Sequence, residues 1–128
     1  MAYQVNWYLG RRIIYAIIED DYFSAKDLAG LNDMLVTFIR RSNAPHVHVI
    51  IDASAVKLLP FPGAQQPVFA YLREPQLGWN LLIASESATK YLNGLVAPLG
   101  AAQFHSFPSL EEGLFFLEDE DETLLMPA

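Results

Sequence analysis

The fold of this chain is decided by the segment VHVIIDASAVKLLPFPG, residues 47–63. Its first five residues, Val47 to Ile51, are almost continuously apolar, which is typical of a strand that is covered on both faces of a sheet. Asp52 follows this strand, and a proline-rich bend follows at Pro60 to Gly63. The segment therefore predicts a central strand that leads into a loop at its carboxyl end.

Two strands and a helix are predicted before this segment. Tyr3 to Trp7 and Arg12 to Ile18 have strand-like composition, and the tight turn at residues 9–11 joins them into an antiparallel hairpin. A helix then begins at Ser24, which suits an N-cap. The apolar residues at helical spacing in this helix are Leu28, Leu31, Leu35, Phe38 and Ile39.

Helices and strands alternate along the rest of the chain. In order, they are a short helix from Pro67 to Leu72, a strand from Trp79 to Ala84, a helix capped by Ser85, a strand from Ala102 to Phe107, and a helix that Ser109 and Glu112 start as a capping box. This order predicts a single α/β domain with a mostly parallel sheet of about five strands, an N-terminal antiparallel hairpin and about four helices.

The acidic excess lies at the end of the chain. Of 15 acidic residues, seven are Glu111, Glu112 and the run from Glu118 to Glu122, and the other eight balance the eight Lys and Arg residues. We therefore expect one domain over residues 1–118 and an acidic, disordered tail over residues 119–128. A body without net positive charge lacks the electrostatic pattern of a nucleic-acid binder or of a protein held on an anionic membrane.

The cysteine count and the hydropathy pattern limit the protein class further. The chain has no cysteine, which excludes disulfides, thiolate catalysis and cysteine metal ligands. No apolar run approaches the roughly 18 residues that a membrane span requires. We expect a cytoplasmic protein.

The residues after the central strand carry a resemblance to a known family. Asp52-Ala53-Ser54-Ala55-Val56, with Gly63 further on, resembles the motif that follows the third strand of STAS domains, which include anti-sigma-factor antagonists and the SpoIIAA-like branch. The resemblance also covers the order of elements along nearly the whole chain. It implies a non-enzymatic regulatory module that binds a protein partner.

The chain departs from this family at the switch itself. Where regulatory STAS domains have Asp-Ser-Ser, this chain has Pro60, Phe61 and Pro62, so the phosphoacceptor hydroxyl is missing. Phosphorylation in the family adds about two negative charges at a helix N-terminus and so changes partner affinity. Ser54 is the nearest hydroxyl, but by resemblance it belongs to the loop. We expect binding without the usual serine switch.

Polar residues of the central strand offer two chemical alternatives. His46, His48 and Asp52, with His105 of the last strand, have the residue types of a metal site, but surface or hydrogen-bonded histidines are the favoured interpretation. Asp52 could also act as a magnesium ligand, or as a general base in an enzyme that uses it with His46 or His48, although capping of the following turn is favoured. We therefore predict no catalytic residue, no metal and no cofactor.

Two apolar sets of residues are the candidate binding surfaces. The first is an unusually apolar loop, proposed to bind a protein partner or a second copy in a homodimer, with packing under the second helix as the equal alternative. Its residues are Leu58, Leu59, Pro60, Phe61, Pro62 and Gly63. The second is a groove for an apolar, lipid-like ligand, suggested by the similarity of SpoIIAA-like domains to lipid carriers, and ordinary core packing is its alternative. Its residues are Phe69, Leu72, Tyr91 and Leu95.

Overall fold

The computed structural model describes residues 3–10, 12–19, 25–42, 46–55, 74–83, 104–121 and 124. The strands are β1 (Tyr3–Leu9), β2 (Ile13–Ile18), β3 (Val47–Asp52), β4 (Leu77–Ile83) and β5 (Phe104–Phe107), and the helices are α1 (Ala25–Arg41) and α2 (Leu110–Glu120). The five strands form one sheet in the order β1-β2-β3-β4-β5. β1 and β2 are antiparallel, and every other neighbouring pair is parallel.

This architecture confirms the predicted α/β class, the hairpin and the mostly parallel five-stranded sheet. The helix count differs, because the described part of the chain contains two helices where about four were predicted. The predicted helices that start at Pro67 and at Ser85 lie outside the described residues.

β3 is the central strand of the sheet, as its apolar sequence predicts. Its side chains alternate between the two faces. Val47 and Val49 pack with residues of α1, while Ile50 packs in a second cluster with Leu117 of α2. The side chains of Val47, Val49 and Ile50 are fully buried. We call the two sides of the sheet the α1 face and the α2 face.

α1 covers the α1 face with an apolar stripe. Leu31, Leu35 and Ile39 are buried at helical spacing, and each such side chain contributes about 1.5–3 kcal/mol through burial. Asp27 lies in the first turn, and Arg40 and Arg41 lie in the last turn, where they complement the helix dipole. The predicted N-cap, Ser24, lies outside the described residues.

α2 packs on the opposite face, over β4 and β5. The Ser109 side chain accepts a hydrogen bond from the Glu112 backbone N–H at 3.3 Å, as the sequence predicts for this N-cap. Gly113 is buried against β4, and a Cβ there would lie 3.5 Å from Leu81 Cδ1, which is an ordinary van der Waals contact. At the other end, the Asp121 N–H donates to the Leu117 carbonyl at 2.9 Å.

The described structure continues beyond residue 118, into the range 119–128 that is predicted to be an acidic, disordered tail. Asp119 and Glu120 belong to α2. Leu124 is 6% exposed and joins Ile13 and Ile50 in the core of the α2 face. Residues 122–123 and 125–128 of the predicted tail lie outside the described residues.

A helix that crosses a membrane needs about 20 predominantly apolar residues. Neither α1 nor α2 is long and apolar enough to cross a membrane, and these are the helices of the described part of the chain.

Candidate functional site

Asp52 ends β3 and organises the turn that follows it. Its Oδ1 atom accepts hydrogen bonds from the Ser54 backbone N–H at 3.1 Å and from the Ser54 hydroxyl at 2.7 Å. The Ala53 N–H donates to the Ile83 carbonyl at 2.7 Å, which holds the start of the turn against β4. Asp52 therefore caps the turn through its side chain, which is the role that the sequence favoured.

Tyr15 binds the second oxygen of the same carboxylate. The Tyr15 hydroxyl donates to Asp52 Oδ2 at 2.7 Å from the neighbouring strand β2. Burial raises the pKa of Tyr15 well above its usual value, and the hydrogen bond to Asp52 and the charge of its carboxylate raise this pKa further. Tyr15 thus stays protonated and acts as a hydrogen-bond donor.

His48 forms a second polar cluster, nearer the start of β3. Its side chain is 3% exposed. The Nδ1 atom accepts a hydrogen bond from the Trp79 backbone N–H at 2.9 Å, and Nε2 lies 2.8 Å from Asp121 Oδ2. Because Nδ1 needs its lone pair to accept, the ring proton lies on Nε2 and is donated to Asp121.

The contact between His48 and Trp79 depends on an irregularity in the sheet. Val47 pairs with Leu77 and Val49 pairs with Asn80, so two residues of β4 lie opposite the single residue His48. Such a bulge leaves one residue out of the regular ladder. The imidazole of His48 accepts the backbone N–H that the bulge turns towards it.

Gly78 makes room for the imidazole in this bulge. A Cβ at position 78 would lie 2.6 Å from Nδ1 and 2.7 Å from Cε1 of His48. Real Cβ atoms do not approach other atoms so closely. The glycine is therefore required by the side chain that it faces across the sheet.

Arg12 and Asp121 complete the cluster around His48. The Arg12 guanidinium lies 2.8 Å from Asp121 Oδ2, and its Nε–H donates to the His46 carbonyl at 3.1 Å. Burial lowers the pKa of His48, and the charges of Arg12 and His46 lower it further, whereas Asp121 raises it. Burial is the largest of these effects, so His48 is held in its neutral form.

The histidines of the less favoured metal-site alternative have separate surroundings. His46 is exposed and precedes β3, and the exposed ring of His105 stacks on Phe116 at 5.3 Å between centroids. Both ring nitrogens of His48 are engaged, so no lone pair remains for a metal ion. Across the described ranges, no group of three or more His, Asp or Glu side chains is arranged to hold a metal.

Asp52 and His48 do not form a catalytic pair either. Both lie on the α2 face, but four residues of extended chain separate them, which is about 13 Å. Their hydrogen-bond partners are also different, since Asp52 binds Tyr15 and Ser54 while His48 binds Trp79 and Asp121. Each group instead forms hydrogen bonds with its own separate set of partners.

The sheet order bears on where a ligand could bind. Ligands of open α/β sheets bind at the carboxyl edge, where the strand order reverses direction. The parallel strands run β2-β3-β4-β5 in one direction, so the described sheet has no such reversal.

The two candidate binding surfaces lie outside the described residues. They are the loop of residues 58–63 and the groove of Phe69, Leu72, Tyr91 and Leu95.

The α2 face also has a group of aromatic side chains. Phe116 packs edge-on against Trp79 with 4.8 Å between ring centroids, and it contacts Phe107 at 5.2 Å. The adjacent residue Phe115 is 65% exposed. α2 therefore presents one aromatic ring to the sheet and one to its outer side.

Comparison of the chain with models of known protein families, with curated proteins and with solved structures gave no match.

Proposed function

We propose that this protein is a non-enzymatic protein-interaction module of STAS-like, SpoIIAA-like type that works without the family's serine phosphorylation switch. The observation that carries the proposal is the turn after β3. Asp52 caps it through Ser54, at the position where the STAS resemblance has its Asp-x-Ser motif. The order of the described elements, with an antiparallel hairpin before the parallel strands, is consistent with the same assignment.

The hydrogen bonds that Asp52 and His48 already form within the protein support a non-catalytic role. The Asp52 carboxylate accepts three hydrogen bonds from Ser54 and Tyr15, which occupy three of its roughly four acceptor positions. His48 is buried with both nitrogens bonded. The groups that the sequence offers for acid–base chemistry on β3 thus act as structural hydrogen-bond partners.

The capped turn also favours a binding role for the loop that follows. A turn that is held by side-chain hydrogen bonds fixes the direction in which the chain leaves β3. The apolar residues Leu58 to Gly63 begin four positions after Ser54. Loops that are presented by a rigid sheet commonly carry the binding residues of a protein. We propose that this loop binds a second copy of the chain in a homodimer.

A pair of aspartate variants tests the loop as the contact. Phe61→Asp places a charge in the proposed contact, and Phe115→Asp makes the same change on the exposed outer side of α2. Sedimentation velocity should show self-association for the wild type and for Phe115→Asp, with a shift towards monomer for Phe61→Asp. Equal self-association of the wild type and Phe61→Asp would contradict the loop contact.

The alternative is a carrier of an apolar small ligand in the groove that includes Phe69 and Tyr91. A retained ligand in the purified protein would support this alternative over the docking module.

For both functions the proposed location is the cytoplasm, and this proposal rests on the absence of cysteine from the chain.

A further inference from the structure

His48 joins three parts of the fold that are distant in sequence. Its ring accepts from the Trp79 N–H in β4 and donates to Asp121 at the end of α2, and its own backbone N–H donates to the Arg12 carbonyl at 2.8 Å. Arg12 in turn pairs with Asp121. The end of α2 is therefore attached to the sheet through the buried imidazole of His48 and the guanidinium of Arg12.

We propose that His48 is an acid-sensitive attachment point, and that its protonation breaks the contact with Trp79 and loosens the end of α2 from the sheet. The proposal concerns a change of conformation within this chain, and it does not depend on the docking function proposed above.

The geometry decides where an added proton must go. Nε2 already carries the ring proton that is donated to Asp121, so the second proton binds Nδ1. Nδ1 lies 2.9 Å from the Trp79 backbone nitrogen, and two N–H groups would then face each other. A buried donor without an acceptor is unfavourable, and the close approach of Gly78 leaves the ring little room to turn. The protonated ring keeps its Nε2–H bond to Asp121 but must move away from the Trp79 N–H, which weakens the connection between β4 and the end of α2.

The charged groups around His48 set the direction of the pH effect. Arg12 and His46 oppose protonation and Asp121 favours it, while β4 contributes the uncharged backbone of Gly78 and Trp79. Burial is the largest effect, and it lowers the pKa of His48 below the ordinary histidine value of about 6.5. The stabilising contact is therefore fully present above pH ~6.5 and is lost as the pH falls through the lower pKa of the folded protein.

Nuclear magnetic resonance of the intact wild-type protein tests this directly. Long-range proton–nitrogen spectra should show the Nε2–H tautomer of His48 at neutral pH and a titration midpoint below the ordinary histidine value of about 6.5. The Trp79 backbone amide resonance should shift with the same midpoint as the His48 ring. An Nδ1–H tautomer, a midpoint at or above about 6.5, or a Trp79 amide that does not follow His48 would overturn the proposal.

A non-titrating variant provides a second test. His48→Asn places an amide oxygen near the position of Nδ1, so it keeps an acceptor for the Trp79 N–H but has no proton to gain. His105→Asn makes the same change at an exposed histidine. Between pH 7 and pH 5, the urea midpoint of wild type and of His105→Asn should fall more steeply than that of His48→Asn. Equal slopes for all three proteins would contradict the proposal.

Discussion

The imidazole of His48 occupies the space that a side chain at position 78 would need. A Cβ on Gly78 would approach Nδ1 to 2.6 Å, and the same Nδ1 atom accepts the N–H of the next residue, Trp79. The glycine, the bulge and the histidine therefore form one interdependent unit at the start of β4.

The double-mutant cycle of Gly78 and His48 tests this interdependence. Gly78→Ala alone should lower the free energy of unfolding by about 1–3 kcal/mol, because the added methyl group displaces the imidazole. In a His48→Ala background the same change should cost at least about 1 kcal/mol less, since the obstructing ring is gone. Urea denaturation of the four proteins measures both values, and additive effects would contradict the close contact.

The hydrogen bond from Tyr15 to Asp52 gives a second prediction. Tyr15→Phe removes the donor to Oδ2 and should lower the free energy of unfolding by about 1–2 kcal/mol, because a hydrogen bond to a charged group is lost. Tyr8→Phe is the matched control, since Tyr8 is 37% exposed and its ring contacts that of Tyr15 edge-on. The control should change stability by less than about 0.5 kcal/mol. Equal effects of the two changes would show that the Asp52 contact contributes nothing.

Adjacent phenylalanines of α2 give a third prediction. Phe116→Ala removes a ring that packs against Trp79 and Phe107, and it should lower the free energy of unfolding by about 2–4 kcal/mol. Phe115→Ala removes a side chain that is 65% exposed and should cost less than about 1 kcal/mol. Thermal denaturation compares the two variants, and a larger loss for Phe115→Ala would mean that α2 packs on its other side.

The fourth prediction concerns the charge of Asp121. Asp121→Asn removes the carboxylate that raises the pKa of His48, so this pKa should fall further below about 6.5. Acid should therefore destabilise Asp121→Asn over a pH range that reaches to lower pH than the range of the wild type. Glu120→Gln removes a charge from the neighbouring exposed residue and should leave the His48 titration unchanged. An unchanged midpoint in Asp121→Asn would contradict the hydrogen bond to His48.

Much of the sheet follows from local sequence patterns. The apolar run from Val47 to Ile51 predicts a strand that is covered on both faces, and the structure places β3 between β2 and β4. Ser109 predicts the start of α2 because its hydroxyl can accept the Glu112 N–H three residues later. Asp52 predicts a turn cap for the same reason, since its partner Ser54 is two residues away.

The contacts of His48 could not be predicted in the same way. Asp121 is 73 residues from His48 in sequence, and no local pattern connects an imidazole to a carboxylate at that separation. Gly78 could have indicated the bulge, because an isolated glycine in a strand often marks one, but the predicted strand begins only at Trp79. Its meaning depended on the register between β3 and β4, which the amino-acid pattern leaves open.

Native mass spectrometry of the purified wild-type protein tests the proposed docking function most directly. The chain has a mass of 14.4 kDa, and the proposal predicts a dimer of twice that mass without additional bound mass. A monomer that carries the added mass of a small apolar molecule would contradict the docking module and support the ligand carrier.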